Sequence, residues 1–510
     1  MGSERPVVTS AGSTAHAGGV LVATCLSTFV VNANTSAVSI LLPAISADTG
    51  MDVTTLQWAV TGYSLVGAAV IVTSGSLGDV FGRKRVFQLG LVLFVASCIF
   101  IALSSSGGAV IAGRVIQGAA GATILACGLS LLSVANKDDE AQLRAVSLWG
   151  AAAAVGAAAG PLMGGALVTV AGWQGLFWVD AVIGVVCILI AARVVSESRD
   201  TTRSRSIDYA GSALIALTLA PLILVLSKGG AWGWASAASL VCIAIGVISG
   251  FAFVAVERRV AVPMLDLALL RNRVLVGSTI AILIGAGTIN ALMYLLSLYF
   301  QDPEALGFST LEAGLATLPA TLGLVAIAAA VPRLTARLGG RQVVGLGFLV
   351  TAGGFAALGF VQESWAYGAF LLPLVAVAVG MGMSNGPASS ASTACVPPNQ
   401  VGSASGVSNM ARYVGAAVAT ALAATIYGAV IADRTAEGRP PSEAKASALA
   451  TASWVMAALS FAGVVMAVVM GHHQAARGTV HDSAASAAAT SFTLPTTATG
   501  SATGVPGGER

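Results

Sequence analysis

Two ionisable side chains, Arg114 and Asp180, lie inside long apolar stretches of the chain. A charged group is costly to place in apolar surroundings, so each of them is a candidate functional residue by default. A carboxylate can bind and release a proton, which an amide cannot do. Each residue also has a plainer interpretation. Arg114 could extend outward to the surface as an anchor, and Asp180 could be partly solvated near the end of its stretch.

A second concentration of charge lies in the sequence "GSLGDVFGRKR" at 75–85. A topology signal would explain the three adjacent cations, which begin at Arg83, but it would not explain the interleaved Gly75, Gly78, Asp79 and Gly82. Gly82 can adopt a positive φ for a tight turn, and Gly78 lets another backbone come close. The carboxylate of Asp79 can accept hydrogen bonds from the N-terminus of a neighbouring helix.

Weaker candidates are polar side chains that interrupt apolar stretches and could face a cavity. They are Gln57, Tyr63, Asn290, Tyr294, Asn385, Asn409 and Arg412. Any one of them is more often a packed helix residue with a satisfied hydrogen bond, and Arg412 could also pair with a lipid phosphate or an inner gate. Glu312 is expected to cap a helix, because a carboxylate in the first turn interacts favourably with the helix dipole.

The composition excludes several classes of protein. Only 9% of the 510 residues are charged, whereas a soluble domain is about a quarter charged, so much of the surface must face something other than water. A formal net charge of +3 gives no support for nucleic-acid binding. The six cysteines are scattered singly and the four histidines lie outside the apolar stretches. Neither disulfides nor a metal site are therefore expected.

Fourteen apolar windows are long enough for a helix to cross a bilayer core, which takes about 20 residues. They lie at roughly 20–43, 57–77, 86–105, 108–132, 145–169, 174–195, 208–227, 235–256, 274–300, 312–331, 342–361, 366–388, 404–431 and 448–471. The first window is too long, and is followed by too many others, to be a cleaved signal peptide. The predicted fold is therefore an all-α integral membrane protein with 14 transmembrane helices.

The basic residues predict the orientation, because Lys and Arg collect on the cytoplasmic side of a membrane. If the N-terminus lies inside, nineteen of the 25 basic residues fall in inner segments and four fall in outer loops. Both termini are therefore expected in the cytoplasm. The segment 432–447 is the only sizeable external loop that this topology predicts.

An internal repeat appears when the chain is shifted by 257 residues. The sequence "PRLTARLGGRQV" at 332–343 then aligns with "GSLGDVFGRKRV" at 75–86, and Gly339 falls on Gly82. The two copies lie on the same side, which predicts a 6+2+6 arrangement of two pseudo-symmetric six-helix bundles. The expected domains are an N-terminal bundle (1–195), a linker with two extra transmembrane helices (196–260), a C-terminal bundle (261–475) and a disordered cytoplasmic tail (476–510).

A stripe of small residues lies in "GAAAGPLMGG" at 156–165. Gly156, Gly160 and Gly164 recur every four residues, so a neighbouring helix can pack on them at close range. Pro161 removes a backbone donor and bends the helix, and Gly165 ends the pattern. A plain packing face would explain the stripe as well, without any further role.

A third motif, "RVIQGAAGA" at 114–122, contains Arg114 and Gln117. With these three motifs, the chain resembles a 14-helix member of the major facilitator superfamily over roughly residues 20–471. The resemblance is to drug:proton antiporters of the kind that exports antibiotics in actinobacteria. It implies that the 75–85 loop is a conformational latch and that the 156–165 helix helps to seal the cytoplasmic side of the outward-open state. It also implies a role for Arg114 in proton coupling, in a central cavity.

The chain departs from this family pattern at the position that carries the proton. The sequence "FVVNANTSAVSILLP" at 29–43 resembles the first-helix signature, but Asn34 stands where the family usually has Asp. The sequence "WQGLFWVDAV" at 173–182 carries Asp180 where the family usually has Asn. Because an amide cannot titrate, we expect Asp180 to carry the proton or to help carry it.

The expected function is secondary active export of antibiotics or other amphipathic organic compounds across the plasma membrane, by proton antiport with alternating access. An uncoupled facilitator, or an exporter of a self-made metabolite, is the alternative that Asn34 supports. The absence of a GxxxxGK[ST] loop excludes ATP-driven transport by this chain alone. Without a cluster of His, Asp, Glu or Cys at one depth, an enzyme is not expected. The expected partners are the small-molecule substrate, protons and lipid, for a monomer without a cofactor.

Overall fold

The computed structural model describes residues 11–135, 139–199, 208–260, 263, 267–396 and 401–469. Over these ranges the chain is helical, with no β-strand, which confirms the predicted all-α class. The helices are α1 (Ala11–Thr49), α2 (Val53–Leu56), α3 (Trp58–Phe81), α4 (Arg83–Ala102), α5 (Gly107–Ala135), α6 (Asp139–Ala171), α7 (Gln174–Val194), α8 (Tyr209–Trp232), α9 (Ala237–Glu257), a 3-10 turn (Leu267–Arg271), α10 (Arg273–Gln301), α11 (Thr310–Ala316), α12 (Leu318–Leu338), α13 (Gly340–Leu358), α14 (Tyr367–Ala394), α15 (Val401–Ala436) and α16 (Pro441–Val469).

Fourteen helical spans in the described ranges are long and apolar enough to cross a membrane. Their number and order confirm the fourteen windows predicted from the sequence. The first span, Ala17–Thr49, extends beyond the predicted window 20–43 at both ends, and the tenth is divided between α11 and α12 at Thr317. The tail predicted over 476–510 lies outside the described residues, as does most of the linker segment before α8.

The two halves of the predicted repeat share the same turn. Gly82 separates α3 from α4 with a φ of +113°, and Gly339 separates α12 from α13 with a φ of +86°. A residue with a Cβ is strained at such angles, so both turns require glycine. Under the 257-residue offset, α3 and α4 fall on α12 and α13. The wider 6+2+6 division and the domain boundaries stay predictions.

The helices α8 and α9 pack against each other, and α8 also packs on α3 and α15. The hydroxyl of Thr425 in α15 donates a hydrogen bond to the carbonyl oxygen of Leu226 in α8, at 2.7 Å. The outer face of α9 exposes large apolar side chains such as Ile248 and Phe251. Such a surface suits lipid rather than water.

The prediction of an external loop over 432–447 is wrong in its secondary structure. The helix α15 continues to Ala436 and α16 begins at Pro441, which leaves a short turn between them. Gly438 supplies the positive φ of this turn, at +74°, and proline is well suited to the first position of a helix. Charged pairs such as Arg439–Glu443, at 3.0 Å, then extend the helices beyond their apolar parts.

The glycine stripe of α6 packs against α1, as its spacing predicts. A Cβ on Gly160 would overlap the carbonyl oxygen of Ala33 and the hydroxyl of Ser36. The hydroxyl of Ser36 also donates a hydrogen bond to the carbonyl oxygen of Ala157, at 2.7 Å. At the next turns of α6, a Cβ on Gly165 would lie 2.8 Å from the carbonyl oxygen of Thr310. The motif therefore brings α6 close to α1 on one side and to α11 on the other.

This packing can be tested by Gly160→Ala with Gly150→Ala as its control on the same helix. A Cβ at Gly160 meets backbone and Ser36, whereas a Cβ at Gly150 has nothing within 4 Å. We expect Gly160→Ala to lose about 1–3 kcal/mol of stability through overpacking and Gly150→Ala to be neutral or slightly stabilising. The measurement is thermal unfolding of the purified proteins in detergent. Equal unfolding temperatures for the two variants would contradict the close α1–α6 contact.

Candidate functional site

Five polar side chains form one hydrogen-bonded group, which we call the polar cluster. Its members are Asn34 (α1), Cys98 (α4), Arg114 and Gln117 (α5) and Asp180 (α7). Each of the five is 0% exposed. Four of them are candidates that were predicted from the sequence for proton coupling or for the cavity, and they come from three different helices: Asn34, Arg114, Gln117 and Asp180.

Asn34 bridges the anion and the cation of the polar cluster. Its Nδ2 donates a hydrogen bond to Oδ2 of Asp180 at 2.6 Å, and its Oδ1 accepts one from Nη1 of Arg114. A guanidinium only donates and an ionised carboxylate only accepts, whereas an amide does both. The side chain of Asn34 therefore bonds one atom of each charged neighbour at once, Oδ2 of Asp180 and Nη1 of Arg114.

Arg114 is held on several sides. Its Nε donates to the carbonyl oxygen of Ala59 in α3 at 3.0 Å, and its Nη1 also donates to Oε1 of Gln117. Its Cζ lies 4.3 Å from the ring centroid of Tyr63, which is a cation–π contact. Gln117 in turn donates from Nε2 to Sγ of Cys98 at 3.0 Å.

Burial decides between the interpretations that the sequence left open for the two charged residues. Arg114 points into the protein and is fully buried, which excludes an anchor that extends to the surface. Asp180 is also fully buried, which excludes a partly solvated carboxylate. Within the described part of the chain, no donor reaches its second oxygen, Oδ1. That oxygen is available to a proton.

The local sequence explains how α5 brings Arg114 to this position. A Cβ on Gly118, one turn after Arg114, would overlap the carbonyl oxygen of Tyr63. The missing side chain lets α5 lie directly against α3. The guanidinium can then reach both the backbone of Ala59 and the face of the Tyr63 ring.

The predicted 75–85 loop is helical except at Gly82, because α3 continues to Phe81 and α4 begins at Arg83. It forms a second group of contacts, at this junction. Nη2 of Arg83 lies 2.9 Å from Oδ1 of Asp79, one helical turn earlier. Oε1 of Glu197 accepts a hydrogen bond from the backbone nitrogen of Lys84, in the first turn of α4, at 3.1 Å. Glu197 thus interacts with this helix N-terminus, and the similar role expected for Asp79 stays a prediction. A Cβ on Gly78 would lie 3.0 Å from the Cys127 sulfur, so the close neighbour there is a side chain rather than a backbone.

The segment that follows α7 holds this loop in place. The backbone nitrogen of Arg83 donates to the carbonyl oxygen of Ser198 at 2.8 Å. Nζ of Lys84 donates to the carbonyl oxygen of Ala192 at 2.9 Å, and Arg85 lies 3.6 Å from Glu197. The loop between α3 and α4 is therefore joined to the end of α7, the helix that carries Asp180.

Comparisons with known proteins agree with this fold and these motifs. Residues 24–420 match the family described as the Major Facilitator Superfamily. The chain is 31% identical to the cephamycin export protein CmcT of Amycolatopsis lactamdurans, over 86% of this chain and 90% of that protein. It is 30% identical to the multidrug efflux pump LfrA of Mycolicibacterium smegmatis, over 80% of each chain.

The chain belongs to the Major Facilitator Superfamily. It is a multi-pass membrane transporter rather than an enzyme, as the motifs predicted. The fold also resembles the crystal structure of the human organic anion transporter MFSD10, with a TM-score of 0.60 at 17% identity, over 88% of this chain and 99% of that one. At this identity, the likeness concerns the facilitator fold alone.

The residues predicted to line a cavity make different local contacts in this superfamily member, and their shared cavity stays a prediction. Tyr63 contacts the polar cluster, whereas Asn290 donates to the carbonyl oxygen of Ala286 in its own helix, at 2.8 Å. Arg412 donates to the hydroxyl of Ser389 at 3.2 Å, and Tyr294 is fully buried. Gln57, also buried, accepts a long hydrogen bond of 3.5 Å from Thr61.

Glu312 has the capping role that the sequence predicts. Its Oε2 accepts from the backbone nitrogen of Ser309 at 2.8 Å, and its own backbone nitrogen donates to the hydroxyl of Ser309 at 3.3 Å. These reciprocal bonds form a capping box at the start of α11.

Two residues of these sites were missed from the sequence: Cys98 and Glu197. Cys98 resembles an ordinary core residue, and only its neighbours in space give it significance. Glu197 did carry a signal, because it is a carboxylate just beyond the end of an apolar segment, on the same predicted inner side as the 75–85 segment. A basic loop beside such a carboxylate favours an ion pair.

The bridging role of Asn34 predicts a specific result for exchanging the two side chains. Asn34→Asp alone places two carboxylates in contact, and Asp180→Asn alone leaves Arg114 without its anion. Each single change is expected to cost about 3 kcal/mol or more, because it leaves an unbalanced buried charge. The double variant Asn34→Asp/Asp180→Asn keeps one anion, one amide and the hydrogen bonds between them. We therefore expect the double variant to unfold at a temperature close to that of the wild type. If the decreases of the two single variants simply add in the double variant, Asn34 does not bridge Arg114 and Asp180.

The loop contacts predict unequal effects at the two repeat glycines. In Gly339→Ala the added Cβ meets no atom within 4 Å. The substitution therefore destabilises the protein only through its strained backbone conformation, by about 1–3 kcal/mol. Gly82→Ala carries the same strain and also places a Cβ 2.6 Å from the carboxylate of Glu197. We expect a larger fall in the unfolding temperature for Gly82→Ala. Adding Glu197→Ala to each variant should reduce the difference between their unfolding temperatures. An unchanged difference would show that Glu197 does not contact the turn at Gly82.

Proposed function

We propose that this transporter is a secondary active exporter of amphipathic antibiotics or toxic organic compounds, driven by the entry of protons. It would work by alternating access, as a monomer in the cell membrane, with both termini in the cytoplasm. Among the facts that support the proposal, the one that carries it is the buried contact between Asn34 and Asp180, next to Arg114.

The direction and the class of substrate are supported by the relatives. One similar protein is named for the export of cephamycin and another for multidrug efflux. This chain covers 90% and 80% of those two proteins. Their similarity therefore extends over most of the transporter rather than over one motif.

Proton coupling is supported by the composition of the polar cluster. The uncoupled alternative depended on Asn34, because an amide cannot titrate. Asp180 provides a carboxylate 2.6 Å from that amide, at the same site but on another helix. The usual proton-carrying group of the first helix would thus be replaced by a neighbour in α7, which favours coupled transport.

The coupling follows from a change in net charge. With Asp180 ionised, the cation of Arg114 and the anion of Asp180 balance each other inside the cluster. A proton on Asp180 leaves one uncompensated positive charge among fully buried side chains. Charges interact more strongly in such surroundings than in water. The proton therefore changes the relative free energies of the states that alternating access requires.

Alternating access requires contacts that can separate, and the structure contains suitable ones. The side chain of Gln301 at the end of α10 donates to the carbonyl oxygen of Ile40 in α1, at 2.9 Å. Near it, α6 meets α11 through glycines, where a Cβ on Gly314 would lie 2.6 Å from the carbonyl oxygen of Pro161. Single hydrogen bonds and smooth helix contacts of this kind can break and reform as rigid bodies move.

The proposed function is tested first in cells. The gene would be expressed in a drug-sensitive strain and the strain scored against a panel of amphipathic antibiotics and dyes. Resistance to some compounds, lost on addition of a protonophore, would support proton-driven export. Efflux that continues downhill in the presence of the protonophore would favour the uncoupled alternative.

A reconstituted assay tests Asp180 itself. With the compound that gives the strongest resistance, Asp180→Asn is expected to abolish accumulation driven by a pH gradient in proteoliposomes, while downhill exchange of the same compound continues. Glu312→Gln is the matched control, because it removes a carboxylate with a capping role and should keep gradient-driven accumulation. Full accumulation by Asp180→Asn would refute the role of this carboxylate.

A further inference from the structure

Tyr63 lies between the polar cluster and the second half of the chain. Its side chain is only 1% exposed. One face of its ring meets the guanidinium of Arg114, with Cζ at 4.3 Å from the ring centroid. The hydroxyl end lies against α5, where a Cβ on Gly121 would be 2.5 Å from the oxygen. The Tyr63 ring is therefore held against Arg114, whose positive charge is balanced by Asp180.

The same ring contacts Tyr413 in α15. The two ring centroids are 6.3 Å apart and the rings are tilted by 40°, a favourable geometry for an aromatic pair. Tyr413 fits against α3 because Gly67, one turn after Tyr63, has no side chain. A Cβ there would lie 2.5 Å from the Tyr413 ring. Helices α3 and α15 thus meet at this aromatic pair, and they belong to opposite ends of the sequence.

We propose that Tyr63 is a positioning residue that couples the charge of the polar cluster to the relative position of α3 and α15, through Tyr413. The inference rests on the proposed proton-coupled function, since it gives the protonation of Asp180 a route to the second half of the transporter. Neither tyrosine touches the proton in this scheme. Tyr63 acts through Arg114, and Tyr413 acts through Tyr63.

The physical basis is the attraction between a cation and the face of an aromatic ring. This attraction strengthens when the cation is desolvated and less compensated by an anion. A proton on Asp180 removes the anion and leaves Arg114 as the uncompensated charge beside Tyr63. The ring is then drawn more firmly toward α5, and the packing of Tyr413 against it changes.

Other titratable groups face the path from Asp180 to Tyr413, on the helices α4, α5, α7 and α15. They are Arg114 from α5, Cys98 from α4, Asp180 from α7, and Tyr413 with its neighbour Arg412 from α15. Of these, Asp180 and Arg114 form the charge pair that Asn34 bridges. For this reason the test changes Asp180 by substitution rather than by pH alone, since pH would act on all of them.

The test measures the distance between α3 and α15 directly. Spin labels are introduced through non-natural amino acids at Phe81 in α3 and Thr435 in α15, which are both exposed. Distance distributions by pulsed electron resonance are recorded in lipid nanodiscs for the wild type and for Asp180→Asn, which imitates the protonated carboxyl. We expect the distribution to shift between these two proteins. The shift should persist in Tyr63→Phe, which keeps the ring, and vanish in Tyr63→Leu.

Tyr413→Leu provides a second variant should Tyr63→Leu fail to fold, and it is also expected to remove the shift. Tyr427→Leu removes another buried tyrosine of α15 and serves as the control that should keep it. A full shift in both Tyr63→Leu and Tyr413→Leu would overturn the inference, as would the absence of any shift between wild type and Asp180→Asn. The shift could be lost in Tyr63→Leu and Tyr413→Leu and kept in the two controls, in a protein that shows no gradient-driven transport. That result would support the inference and refute the proposed function.

Discussion

The amide of Asn34 joins one cation and one anion among fully buried side chains. Because Arg114 can only donate and ionised Asp180 can only accept, the amide bonds to both, and the cluster has no net charge when Asp180 is ionised. Two carboxylates would repel each other there, and two amides would leave the guanidinium unbalanced. This constraint explains why an asparagine in α1 occurs together with an aspartate in α7.

The helices around the polar cluster pack closely, and glycines make this packing possible. Close packing of α5 on α3 depends on Gly118, and close packing of α6 on α1 depends on the stripe that includes Gly160. The helix that carries Asp180 continues into the segment whose Glu197 and Ser198 bind the 75–85 loop. The charged loop and the buried charge are thus connected by α7, although they lie far apart in the sequence.

Much of the fold could be predicted, because the apolar windows and positive-φ glycines such as Gly82 and Gly339 are local signals. The members of the cluster could be selected one by one, since ionisable residues in apolar segments are conspicuous. Their contacts could not be predicted, because the amide between Arg114 and Asp180 depends on how three helices pack. The pairing of Tyr63 with Tyr413 has no local signal at all, and the helical turn at Gly438 depends on end effects that apolar windows ignore.

Infrared difference spectroscopy tests most directly whether Asp180 holds a proton inside this cluster. Spectra of the purified protein would be recorded between alkaline and acidic pH, for the wild type and for Asp180→Asn. A carboxylic-acid C=O band that appears in the wild type as the pH falls, and is missing from Asp180→Asn, is the expected result. The same band in both proteins would place the proton on another group and contradict the role assigned to Asp180.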